Sequence, residues 1–149
     1  MNGPQNWHVD PDISVAQTLP GTFFLDSELF ERAKNQIFAR RWHFIGDDDD
    51  LRAPGTVKPI TLLDGYLNEP LVLTRDTEDQ LHLLSNVCTH RGMLVSEGMS
   101  NERFLRCRYH GRRWGLDGKF QHMPEFEGVA NFPCEKDHLS PVPFGRWGK

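Results

Sequence analysis

At 149 residues the chain can hold one domain with a real core but not two of ordinary size. Its 17 Lys and Arg against 21 Asp and Glu give a net charge of −4, which argues against nucleic acid or an acidic membrane as the main partner. The opening residues carry no basic start or signal-length apolar run, and nothing later approaches the ~20 apolar residues of a membrane span, so the expectation is a soluble, unexported, cytoplasmic protein.

Residues 1–21, with Gly3, Pro4, Pro11, Pro20 and Gly21, read as an extended arm. From Asp26 the pattern changes. Leu29, Phe30, Ala33, Ile37 and Phe38 recur at helical spacing with Glu28, Glu31, Arg32, Lys34 and Arg40 between them, which predicts one helix over 26–41. Asp26 suits its N-cap, and Glu28 and Arg40–Arg41 complement the two ends of its dipole. WHFIG at 42–46 reads as a short strand, and DDDD at 47–50 as a solvated loop before a Pro54-Gly55 turn. TVKPITLL at 56–63, EPLVLTRD at 69–76 and QLHLLSNV at 80–87 are apolar stretches of strand length separated by turns, which predicts an antiparallel meander. Beyond them FLRC at 104–107 and RRWGL at 112–116 are the best strand candidates among frequent Gly, Pro and aromatic residues. The whole reads as mostly β with one leading helix, divided into an arm and helix at 1–41 and a domain at 42–149.

Three cysteines without a secretion signal argue against a disulfide framework and for thiolates with another task, metal binding first. A hydrophobic fraction of 38% and a mean hydropathy of −0.56 are low for a freestanding domain, which is consistent with stability drawn from a metal site or from neighbouring subunits.

The chemistry lies in Cys88-Thr89-His90-Arg91-Gly92 and Cys107-Arg108-Tyr109-His110-Gly111. Each group offers one thiolate and one imidazole, and the span between them lets the chain leave the site, turn and return like a second finger. Soft thiolates suit an iron-sulfur cluster, and neutral imidazoles on one iron make its reduced state less electron-rich. Such centres span about −150 to +300 mV, against about −400 mV for an all-cysteine plant-type cluster. Gly92 and Gly111 let backbone N–H groups approach the cluster sulfurs. The rival is a structural zinc site with the same four ligands, but a zinc finger usually keeps its two Cys together and its two His together, whereas here each pair is mixed.

CTHRG and CRYHGRRWGLDGKF resemble the two cluster-binding loops of Rieske proteins, specifically the alpha (oxygenase) subunit of Rieske non-haem iron, aromatic-ring-hydroxylating oxygenases. The likeness extends to Arg91-Gly92, Tyr109, Gly111, Trp114, the Leu116-Asp117-Gly118 turn, Pro124 in a third loop, and the lead-in from about Leu19. It implies a Rieske-type antiparallel β-sandwich with a small cluster-binding subdomain, and a 2Fe-2S cluster with Cys88 and Cys107 on one iron and His90 and His110 on the other. It further implies a ferredoxin or flavin reductase as electron donor, a mononuclear Fe(II) in a catalytic oxygenase domain or subunit as acceptor, and assembly as a homo-oligomer. A stand-alone Rieske-type ferredoxin is the alternative, which the segment 1–41 disfavours, and a zinc-stabilised interaction module comes last.

Three departures refine this resemblance. Rieske proteins of respiratory and photosynthetic complexes carry an extra disulfide between the loops, where this chain has Met93 and Tyr109, so that class is excluded. The Ser that raises the potential in that class, after the second His-Gly, is Arg112 here, which places the expected potential at the low end. The remaining histidines, His8, His43, His82, His122 and His138, are scattered without the two-His-one-carboxylate pattern of an oxygen-activating iron, so no catalytic residues are assigned, and the ending FGRWGK reads as a strand short of the family's domain. Cys134 reads as a small buried residue, and Trp114 as core that also shields the cluster. Arg91, Arg108, Arg112 and Arg113 read as solvated loop charges that could also guide an acidic electron donor. If each ligand histidine keeps its second ring nitrogen free, the potential should fall as pH rises.

Overall fold

Two stretches of chain build separate sets of contacts in the computed structural model, which describes residues 7–148: one runs to His43 and the other begins at Phe44. In the first, a 3-10 turn at Gly21–Leu25 leads into α1, Ser27–Gln36. Asp26 caps it, its carboxylate accepting from the Leu29 N–H at 3.0 Å. The helix stops short of the sequence expectation, and Phe38–Arg40 tightens into a 3-10 turn. Nothing in α1 is fully buried, so a β-branched Ile37 and an aromatic Phe38, both moderate helix formers, have no packed face to hold them in register. The arm's residues 1–6 lie outside the described residues.

The second unit is built on a four-stranded antiparallel sheet of β1 (Thr56–Leu62), β2 (Glu69–Arg75), β3 (Leu81–Ser85) and β4 (Ser100–Asn101), in the order β3-β2-β1-β4. The expected three-strand meander is therefore present. WHFIG at 42–46 is not a strand: it joins no ladder, and Trp42 and Phe44 are exposed. The β1 edge opposite β2 is taken instead by β4, pairing Thr56 with Asn101 and Val57 with Ser100. The acidic run is not plain loop either, since Asp48–Leu51 forms a 3-10 turn. Asp49 in it pairs with Arg52, and Asp50 with Lys58.

Strand alternation divides the core. Leu71, Leu73 and Leu83 point to one face with Leu51, while Val57, Val72 and Leu84 point to the other, where they join Cys88, Leu105, Cys107, Trp114, Leu116 and Leu139 in one buried cluster. That second face carries the smaller sheet, β5 (Leu105–Arg106), β6 (Arg113–Trp114) and β7 (Phe120–His122). The Thr74 hydroxyl, fully buried, donates to the Leu116 carbonyl at 2.6 Å and ties the two layers. The chain then returns past β3, with the Ser85 N–H donating to the Ser140 carbonyl and the Val142 N–H to the Leu83 carbonyl, so the outer edge of the large sheet is covered.

Candidate metal centre

The two motif segments fold as matched hairpin tips. In the first, the Cys88 N–H donates to the Met93 carbonyl at 2.8 Å and the Gly92 N–H to the Cys88 carbonyl at 3.0 Å. In the second, the Cys107 N–H donates to the Arg112 carbonyl at 2.9 Å and the Gly111 N–H to the Cys107 carbonyl at 3.1 Å. Gly92 and Gly111 occupy the same place in each tip with φ of 72° and 75°, the left-handed conformation that closes the loop and that glycine adopts without strain. The shared Cys-x-x-x-Gly spacing is the sequence signal of this equivalence, although the histidine stands third in one loop and fourth in the other.

Each tip is fastened at its base. Asn86, buried at the end of the first approach, donates through Nδ2 to the Ser96 carbonyl at 2.7 Å and accepts the Ser96 N–H at 2.9 Å, closing the loop around the Val87–Leu94 bridge. The second tip stands on the β5–β6 pairing of Leu105 with Trp114 and Arg106 with Arg113. Sequence reasoning passed over Asn86, whose only signal is a polar residue directly after an apolar strand.

The predicted ligands meet in two pairs, thiol with thiol and imidazole with imidazole. Cys88 and Cys107 are 4% and 1% exposed, whereas His90 and His110 are half-buried at the rim with ring centroids 4.9 Å apart. Burial pushes the Cys88 thiol up, the backbone N–H groups of His90 and Arg91 only partly offset this, and the neighbouring Cys107 sulfur adds to the rise. Burial, with the nearby positive charges of His110, Arg112 and Arg91, holds the His90 imidazole below its ordinary value, in the neutral form that binds metal. Tyr109 stacks on His110 at 3.8 Å, and Phe126 lies edge-on to His90 at 6.1 Å. Pro124 in the third loop stands against Gly111.

Among the described residues no three His, Cys, Asp or Glu side chains are placed to hold a single metal ion. Tetrahedral zinc needs four donors about one point. Two thiols inside and two imidazoles outside fit a binuclear cluster better, with one pair of donors for each iron.

Several other residues depart from expectation. Arg112 is not a solvated loop charge but is 3% exposed, with Nη1 donating to the Thr89 hydroxyl at 2.6 Å and Nη2 to Asp137 Oδ1 at 3.0 Å. Nothing in the sequence links it to Asp137 far along the chain. Cys134 is exposed rather than buried, because it precedes the surface turn Glu135–Asp137 and donates its N–H to the Asp137 carboxylate. Trp114 is fully buried in the cluster that contains both cysteines, and its Nε1 donates to the Asp137 carbonyl at 2.8 Å. His82 pairs with Asp76 at 2.7 Å, and His138 Nδ1 accepts the Phe120 N–H, so both have structural partners.

Two mixed Cys/His tips facing each other above an antiparallel sandwich define an iron-sulfur domain, and residues 41–133 match the family described as the Rieske [2Fe-2S] domain. The chain belongs to that family, whose cofactor is a 2Fe-2S cluster. Among its sequence relatives, it is 32% identical over 93% of its length to the carnitine monooxygenase oxygenase subunit of Escherichia coli (strain K12), and 27% identical over 93% to the chloroplastic choline monooxygenase of Spinacia oleracea. It spans 36% and 31% of those proteins. Among solved structures it is similar to a quaternary ammonium Rieske monooxygenase associated with carnitine oxidation and inter-subunit electron transfer (TM-score 0.74, 26% identity, 93% of this chain and 38% of that one). It is also similar to a naphthalene 1,2-dioxygenase (TM-score 0.65, 28% identity, 78% of this chain and 26% of that one). No helix among the described residues is long and apolar enough to cross a membrane.

Proposed function

We propose that this chain is the electron-relay domain of a Rieske-type oxygenase, with residues 42–149 forming the cluster domain. Cys88 and Cys107 would hold one iron and His90 and His110 the other. The observation that carries this reading is the pair of equivalent tips, which sets two thiols inside and two imidazoles at the rim. The cluster supplies a one-electron carrier whose potential, at about −150 to +300 mV, exceeds that of an all-cysteine centre. The chain's own residues insulate it on one side, where Trp114, Leu105 and Leu116 exclude water, and leave His90 and His110 as the edge through which an electron passes.

Electrons would come from a ferredoxin or flavin reductase, with Arg91 and Arg108 exposed at the tips to meet an acidic donor surface. They would leave for a mononuclear iron in a catalytic domain or subunit outside residues 1–149, within a homo-oligomer. Relatives named for carnitine, choline and naphthalene share this domain, which suits a part that delivers electrons while substrate choice is made elsewhere. Anaerobic dithionite titration of the purified protein tests the reading. One electron taken up per chain, with reversible bleaching of visible absorption and return on reoxidation, is expected; a colourless protein that takes up none would refute it.

A further inference from the structure

We propose that Arg112 is a positioning residue for the cluster site, locking both ligand loops to the Glu135–Asp137 turn and lending its positive charge to the reduced state. This rests on the electron-relay reading above. Arg112 belongs to the second tip, where its carbonyl accepts the Cys107 N–H. Its guanidinium reaches the first tip at Thr89, the residue between Cys88 and His90, and also grips the Asp137 carboxylate. The Thr89 hydroxyl donates to the Asp137 carbonyl at 3.1 Å, and Trp114 Nε1 donates to the same oxygen, so four residues from three segments share one hydrogen-bonded knot. Phe120 and Phe132 face the guanidinium at 5.4 Å each and keep water from it.

A cation this deeply buried is expensive unless fully partnered, and here the partnering is incomplete: the Arg112 Nε is buried without a hydrogen-bond acceptor. An apolar residue would fill the site at less cost. What the guanidinium adds is a forked link between two loops and a fixed positive charge in poorly screened surroundings, directly after the Gly111 that follows a ligand histidine. Reduction adds one negative charge to the cluster, so a nearby cation favours the reduced form and the Asp137 carboxylate opposes it. Arg112, standing where the excluded respiratory class carries a potential-raising Ser, therefore acts on the potential by charge.

The test compares holoprotein variants by spectroelectrochemical midpoint and by the rate of cluster loss to a ferrous chelator. R112Q should lower the midpoint, D137N should raise it, and K119Q, a charge change at an exposed site, should leave it in place. R112K keeps the charge but not the fork, so its midpoint should stay near wild type. Cluster loss should quicken roughly 10- to 100-fold in both Arg112 variants. Midpoints of R112Q and D137N that do not move, or that move in the same direction, would overturn the charge role, and unchanged cluster loss would overturn the positioning role. Should R112Q assemble no cluster, D137N decides the charge role: its midpoint should rise while that of R112K stays in place, and a D137N midpoint that does not rise would overturn it. Wild-type protein without a Rieske spectrum would sink the electron-relay reading itself, before any variant is compared.

Discussion

Gly118→Ala should be among the most damaging single-methyl additions in the second unit. Gly118 closes the turn between β6 and β7 with φ of 80°, and a Cβ there would stand 2.9 Å from Leu84 Cδ2 and 3.3 Å from the Leu139 carbonyl oxygen. Leu84 cannot swing aside, because it is 2% exposed and packed with Val72 and Trp114. A left-handed conformation costs an L-residue about 1–2 kcal/mol, and overpacking a full core costs about 1–3 kcal/mol. The stiffer unfolded chain of the alanine variant returns about 0.4–1 kcal/mol, leaving a net loss of about 2–4 kcal/mol. Against a total of about 5–15 kcal/mol for a domain of ordinary stability, that is a large share. Gly92→Ala is the internal control, since its φ of 72° is similar but nothing lies within 4 Å of the added Cβ. Its loss should stay near 1 kcal/mol. Urea unfolding of holoprotein followed by far-ultraviolet circular dichroism gives both values. Equal losses for the two variants would refute the steric argument, leaving backbone conformation as the whole effect.

Asn86→Ala removes both hydrogen bonds to Ser96 from a buried site and should cost about 2–4 kcal/mol in urea unfolding while speeding cluster loss; a cost below about 1 kcal/mol would show that the loop base holds without it. A colorimetric thiol reagent should modify one thiol promptly in native holoprotein, the exposed Cys134, and all three after unfolding; prompt reaction at two or three would contradict the burial of Cys88 and Cys107. Asp76 and Asp137 lie below the ordinary carboxyl value of 3.8: burial opposes ionisation, but hydrogen bonds from His82, Gln80 and Glu78 at Asp76, and from Cys134 and Arg112 at Asp137, outweigh it. Their stabilisation is complete above that unfolded-state value and is lost as pH falls through the lower native ones, so D76N should flatten the acid limb of stability measured between about pH 2 and 6. An acid limb as steep as wild type would contradict this.

The two Cys/His loops were legible as a candidate site because Cys-x-His and Cys-x-x-His are short local patterns whose chemistry follows from residue type. The meander was legible for a similar reason: β1, β2 and β3 are long enough for apolar patterning to register within each segment. β4 and β7 were not, because two or three residues carry no period and become strands only through partners elsewhere, Thr56–Val57 for β4 and β6 for β7. WHFIG misled in the opposite way, having strand composition but no ladder to join. Arg112 shows the same limit at the site. Its exposure depends on Thr89 and Asp137 meeting it from distant segments, and no local pattern reports that.

Iron, labile-sulfide and zinc analysis of protein purified without air, with electron paramagnetic resonance after dithionite reduction, tests the central claim most directly. Two irons and two sulfides per chain with a rhombic Rieske signal, all lost in Cys107→Ser, is the predicted result. Stoichiometric zinc without sulfide would contradict it.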